Sequence, residues 1–101
     1  MLNREFFLGF IKIHILYHAA KEPIFGAAIA SELARHGYSL SPGTLYPTLH
    51  RLEKEGYLAS KSEVVGGRVR KYYRATDEGR LVLAQAKNMI GELVTEVIEE
   101  E

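Results

Sequence analysis

A chain of 101 residues, 47% of them hydrophobic, is sized for one domain with a true core and carries too little charge for disorder. Thirteen bases balance thirteen acids, which argues against a strongly basic nucleic-acid binder. The absence of cysteine excludes disulfides, thiolate metal sites and thiol catalysis, and suits the cytoplasm. A domain of this size buries only about 60–65% of the surface its unfolded chain exposes, so burial against a second chain would help it.

Residues 3–21 read as a first helix with Asn3 as its N-cap. Phe6, Phe7, Phe10, Ile11, Ile13, Ile15, Leu16 and Tyr17 leave it almost no polar face, so most of its sides need cover. Arg4 ahead of an apolar run has the outline of a leader peptide. Glu5, Lys12 and His14 bound or interrupt that run, which is far short of the roughly 20 residues of a membrane span. It reads as a buried helix, with no membrane partner. His14 and His18 stand at i, i+4, a spacing that can hold a metal, but no carboxylate is convincingly beside them. They read as core or interface histidines able to tune a pH response, and no metal or cofactor is assigned.

A second helix spans 25–36, with Ile29 and Leu33 inward and Gly37 ending it. Ser41 caps a third helix, Pro42 takes its first position, and Gly56 stops it after Glu55. Two strands follow, about 57–64 and 69–75, with Gly66-Gly67 at the hairpin tip. Thr76 caps a last helix that carries Asp77 and Glu78 in its first turn and runs to about Ile98. The fold class is mainly α with a small β-hairpin: a winged helix-turn-helix over residues 1–75 and a long dimerisation helix over 76–101.

On a helical wheel, Leu45, Leu49 and Leu52 form the buried stripe of the third helix. Pro47, His50, Arg51 and Lys54 lie opposite, flanked by Thr44 and Thr48. Such a face can donate to phosphate oxygens and base edges. An interior proline costs about 3 kcal/mol. Either the helix starts late or loosely, or Pro47 beside Tyr46 shapes the end that enters a groove; both readings stand at this point.

Charge is unevenly spread. Lys61, Arg68, Arg70, Lys71 and Arg74 cluster centrally against Glu63 alone, whereas Glu92, Glu96, Glu99, Glu100 and Glu101 make an acidic tail. Along the second strand Arg68, Arg70, Tyr72 and Arg74 share one face, and Val69, Lys71, Tyr73 and Ala75 the other. The basic face reads as a phosphate-binding edge. A solvated strand that resists edge pairing is the plainer alternative, outweighed here by the preceding helix-turn-helix.

The run Leu40-Ser41-Pro42-Gly43-Thr44-Leu45-Tyr46-Pro47-Thr48-Leu49-His50-Arg51-Leu52-Glu53-Lys54-Glu55-Gly56 resembles the recognition-helix signature of PadR-like transcriptional regulators. Gly67-Arg68-Val69-Arg70-Lys71-Tyr72-Tyr73-Arg74-Ala75-Thr76-Asp77-Glu78-Gly79 resembles that family's wing and the start of its C-terminal helix. The resemblance implies a dimeric winged helix-turn-helix, usually a repressor and often responsive to a small molecule, of the compact branch with one C-terminal helix. The expected DNA-binding residues are Ser41, Thr44, Tyr46, Pro47, Thr48, His50 and Arg51 on the third helix, and Arg68, Arg70, Lys71 and Arg74 on the wing. Two departures stand out. Gly26-Ala27-Ala28-Ile29 replaces the family's frequent Gly-Tyr-Glu-Ile-like run, and the chain lacks the tryptophan on which some members stack planar effectors.

A continuous helix from Asp77 to Ile98 would be about 33 Å long, overhanging a domain whose radius of gyration is near 13 Å. Leu83, Ala86, Ile90, Leu93 and Val97 alternate spacings of three and four, and Met89, Val94 and Ile98 widen the stripe. This helix and the first are therefore expected to pair across a two-fold axis, presenting two recognition helices to a pseudo-palindromic double-stranded DNA. Phe7, Phe10 and Met89 are the candidate lining of an apolar effector site at the dimer centre, with core packing as their plainer role. Only one aspartate exists, and no nucleophile–base pair or phosphate loop stands out, so enzymatic function is not expected. The competing function is a winged helix that contacts protein and not DNA, favoured by the zero net charge.

Overall fold

Asn3 opens the first helix as expected: its Oδ1 accepts from the Phe6 amide at 3.0 Å. The computed structural model describes residues 3–100, so Glu101 of the acidic tail lies outside it. Helix α1 spans Arg4–Lys21, strand β1 Ile24–Phe25, helix α2 Gly26–Arg35 and helix α3 Pro42–Lys54. Strands β2 (Leu58–Val65) and β3 (Arg68–Ala75) form the hairpin, helix α4 covers Asp77–Leu93, and a π-helical segment runs Val94–Glu99.

The core is one cluster fed by the four α-helices and the two hairpin strands, with Ile24 of β1 packed at its edge. Ile11, Ile15 and Leu16 of α1 meet Ile29 and Leu33 of α2 and Leu45, Leu49 and Leu52 of α3. Leu58, Tyr73, Ala75 and Leu83 close it from the hairpin and α4. At roughly 1.5–3 kcal/mol for each large apolar side chain buried, this cluster is the main source of stability.

Helix α2 ends where Gly37 takes a φ of +88°, a conformation that suits a residue without Cβ. At the hairpin tip Gly66 and Gly67 have φ of +58° and +77°. Two consecutive positive values match the right-handed twist of the flanking strands, which pair from Val65 with Arg68 down to Leu58 with Ala75. Strand β1 was not foreseen. Its two residues pair antiparallel with Tyr72 and Tyr73, giving a three-stranded sheet in the order β1-β3-β2.

Thr76 ties the start of α4 to the end of α3. Its Oγ1 donates to the Gly56 carbonyl at 2.6 Å and accepts from the Gly79 amide at 3.0 Å. Gly79 itself lies so close to the hairpin entrance that a Cβ there would overlap the Tyr57 carbonyl.

The last helix departs from a uniform α-helix. Its final turns are π-helical, so the three–four spacing that includes Val97 does not continue in one phase. Those turns carry Glu96 and Glu99 and no base, which opposes the helix dipole. The helix is largely bare beyond Ala86: Met89, Leu93, Val97 and Ile98 are 67%, 56%, 63% and 64% exposed. On α1, Phe6, Phe10 and Tyr17 are also exposed. They follow one side of the helix, so α1 is left uncovered on an apolar face as its composition implies.

Candidate nucleic-acid interface

Helix α3 is held by its leucines and offers the rest of its surface. Leu45, Leu49 and Leu52 are at most 3% exposed, whereas Tyr46, Pro47, His50, Arg51 and Lys54 are exposed. The helix begins at Pro42, so Pro47 lies inside it and the late-start reading is set aside. The carbonyl that Pro47 leaves without a donor is that of Gly43, an exposed residue, so water can take the bond. Ser41 occupies the N-cap, yet its side chain makes no capping hydrogen bond. Its Oγ donates to Thr44 Oγ1 at 3.3 Å, and its carbonyl accepts from the Thr44 and Leu45 amides.

Two recesses flank this helix. On the wing side a cleft is lined by Tyr46 and His50 of α3, Arg68, Arg70 and Lys71 of β3, and the Phe25-Gly26-Ala27 corner. The Tyr46 ring rests against Gly26, and the Arg70 guanidinium lies 4.4 Å from the centre of the Phe25 ring. That cation–π contact aims a fixed positive charge across the cleft. On the α1 side, Thr44, Pro47 and Arg51 meet Arg4, Leu8 and Lys12. The cationic surface around α3 therefore has three sources: β3, α3 itself and α1.

Glu53 ties α3 to both strands of the wing. It accepts from the Ser60 hydroxyl of β2 at 2.5 Å, and Lys71 Nζ of β3 stands 3.6 Å from its other oxygen. The Ser60 bond first, and then the Lys71 charge, hold the Glu53 carboxyl below its ordinary range against the opposing effect of burial.

This arrangement, two helices joined by a tight glycine turn with the second exposed beside a β-wing, coincides with a match of residues 15–85 to the transcriptional regulator PadR-like family. The chain belongs to the PadR-like family of transcriptional regulators. It is 52% identical over 95 residues to the transcriptional regulator Rv3488 of Mycobacterium tuberculosis, covering 94% of this chain and 89% of that protein. A PadR-like transcription factor from Bacteroides fragilis superposes with a TM-score of 0.82 at 30% identity, over 92% of this chain and 91% of the other. A PadR family regulator from Eggerthella lenta gives a TM-score of 0.77 at 40% identity, over 92% and 79%. These relatives are transcriptional regulators and not enzymes.

Within this PadR-like regulator the expected site residues divide. Tyr46 and His50 meet Arg68 and Arg70 in one cleft. Thr44, Pro47 and Arg51 face the other recess. Thr48 departs from expectation: it is 7% exposed and donates to the Thr44 carbonyl at 2.8 Å. Its spacing of three and four from Leu45 and Leu52 puts it in the buried stripe, a signal present in the sequence. Lys71 departs as well, because its ammonium is engaged with Glu53 and lies 5.5 Å from the centre of the Tyr73 ring. Arg74 lines a separate recess with Pro23, Lys61, Glu63 and Tyr72, away from α3. Arg4 and Lys12 were missed, although with Leu8 they make an i, i+4, i+8 row on an otherwise apolar helix.

The three candidate effector residues do not meet within one chain. Phe7 tilts against Tyr38 at 5.5 Å and packs on the core. Phe10 lines an open recess with Phe6, Gly9 and Ile13, and Met89 stands exposed on α4. No helix among the described residues is long and apolar enough to cross a membrane.

Proposed function

We propose that this PadR-like regulator binds double-stranded DNA sequence-specifically as a homodimer and acts as a repressor. The observation that carries the reading is the cleft in which Tyr46 and His50 of α3 face Arg68 and Arg70 of the wing. An exposed helix face with hydroxyl and imidazole groups suits base edges, and guanidiniums on an adjoining strand suit phosphate. Arg4, Lys12 and Arg51 extend the phosphate-binding surface on the opposite flank.

A second copy is supported by the exposed apolar residues of α1 and α4. Residues 1–75 then serve as the DNA-binding unit and 76–101 as the dimerisation helix. A two-fold dimer reads a pseudo-palindrome whose half-sites lie about one helical turn, or a multiple of it, apart. Release by a small apolar molecule held between the copies, against Phe10 and Met89, belongs to the same reading, and so does a cytoplasmic location beside the DNA.

The test is selection of bound duplexes from a random pool over a range of salt. An enriched palindrome with steep salt dependence is the expected result. Absence of binding at low salt would overturn the reading in favour of a winged helix that contacts protein.

A further inference from the structure

Three of the four histidines converge on the side of α1 that faces α2. His14 and His18 stand one turn apart on α1, and His36 closes the C-terminal end of α2. One ring nitrogen from each lies within 4.8 Å of the other two. The His14 and His36 rings are nearly parallel, with centroids 5.3 Å apart, and His18 is 6.5 Å from His36. Tyr38 walls the cluster edge-on to His14 at 5.0 Å. The Glu32 carboxylate reaches to 4.0 Å from His18 Nε2 and is oriented from behind by Arg35, which donates to both its oxygens. Among the described residues, no protein group is hydrogen-bonded to any of the three imidazoles.

From this geometry we propose that His14, His18 and His36 form a binding site for a divalent transition metal of the zinc class, with Glu32 supplying negative charge beside it. Imidazole is the ligand type such ions prefer over the hard alkaline-earth cations. Three nitrogens around a tetrahedral ion, each bonded at about 2.0–2.1 Å, stand about 3.4 Å apart. The trio needs roughly an ångström of closure, and His36 is exposed and able to turn inward. Both α1 imidazoles already favour the neutral form that ligates. His14 is lowered by burial first and then by His36 and His18. His18 is lowered by burial, with Lys21, His36 and Arg35 adding to the effect and Glu32 opposing it. A mere stack of His14 on His36 would need neither a third imidazole nor a carboxylate at its rim.

The bound ion would join the helix that carries the exposed apolar face to the first helix of the helix-turn-helix, one residue before the Gly37 turn. Its loading would thus fix the pitch of α3 relative to α1. That consequence rests on the proposed DNA reading; the binding itself does not.

The experiment uses the full-length protein without a histidine tag. Titration with Co2+, followed by its visible ligand-field bands and displaced by Zn2+, is expected to saturate at one ion per chain. His36→Gln, at an exposed position outside the core, is expected to weaken binding at least about tenfold, and His14→Gln to do the same. Melting curves taken without metal establish that each variant is folded. If His14→Gln unfolds, His36→Gln alone decides. No binding by the parent chain at micromolar Zn2+, or full-strength binding retained in folded His36→Gln, would overturn the site.

Discussion

The Tyr46 ring lies against the α-carbon of Gly26, so closely that a Cβ there would stand 2.7 Å from Cε1 and 2.9 Å from the phenol oxygen. The first residue of α2 thereby sets the direction of an exposed side chain on α3. Gly26→Ala is expected to turn Tyr46 away, since the obstacle is the end of a surface side chain. Stability should change little, within about 1 kcal/mol, while affinity for the selected duplex falls. Melting curves beside fluorescence polarisation separate the two effects; a large loss of stability with unchanged affinity would contradict the account.

Gly79 and Gly91 should respond in opposite directions to the same change. At Gly79 the added methyl meets the Tyr57 backbone, which cannot swing aside, so Gly79→Ala is expected to cost about 3 kcal/mol or more. At Gly91 nothing lies within 4 Å, and alanine there should stabilise by up to about 1 kcal/mol through helix propensity. Denaturant melts of the two variants check both signs.

Glu53→Gln should destabilise in a pH-dependent way. The folded carboxyl titrates below its unfolded value, chiefly through Ser60 and then Lys71. Its contribution is therefore fully present above the unfolded pKa and is lost as pH falls through the folded one. At neutral pH the variant should lose about 1–2 kcal/mol. Below the ordinary carboxylate range its stability should converge with that of the parent. A constant gap across the whole titration would rule the mechanism out.

On the wing, Arg68→Ala and Lys71→Ala should separate binding from positioning. Loss of Arg68 is expected to reduce the slope of log affinity against log salt by about one. Lys71→Ala should act through Glu53, costing up to about 1 kcal/mol of stability and leaving most of the salt slope in place.

For assembly, Leu93→Glu is the informative change, because Leu93 is 56% exposed in the single chain. A charge there should leave the fold intact and shift sedimentation from dimer to monomer. A monomeric parent chain at micromolar concentration would remove the basis for the homodimer.

What could be read from the residues alone was whatever depends on local spacing. The Leu45–Leu49–Leu52 stripe, the Gly66-Gly67 turn and the Asn3 and Thr76 caps all emerge from period and residue type. Strand β1 is two residues long, too short for any alternation, and exists only because β3 offers it an edge. The engagement of Lys71 depends on a partner 18 positions earlier in the chain, and that of His36 on a helix packed beside it. Such pairings are tertiary and leave no periodic trace. Thr48 is different: its spacing of three and four from Leu45 and Leu52 marks the buried row, and its hydroxyl is satisfied within its own helix.

The hairpin beyond Lys61 buries no side chain until the chain returns to Lys71, and Val64 and Val69 are 74% and 73% exposed. It is a cantilever, clamped at the root by Glu53 and by β1 and unsupported toward the tip. Five residues of overhang at about 3.3 Å each give a lever of roughly 17 Å. A rotation of about 10° at the root carries the tip sideways by roughly 3 Å. The clamp residues, which need touch no ligand, thus govern how widely the guanidinium of Arg68 at the tip can range.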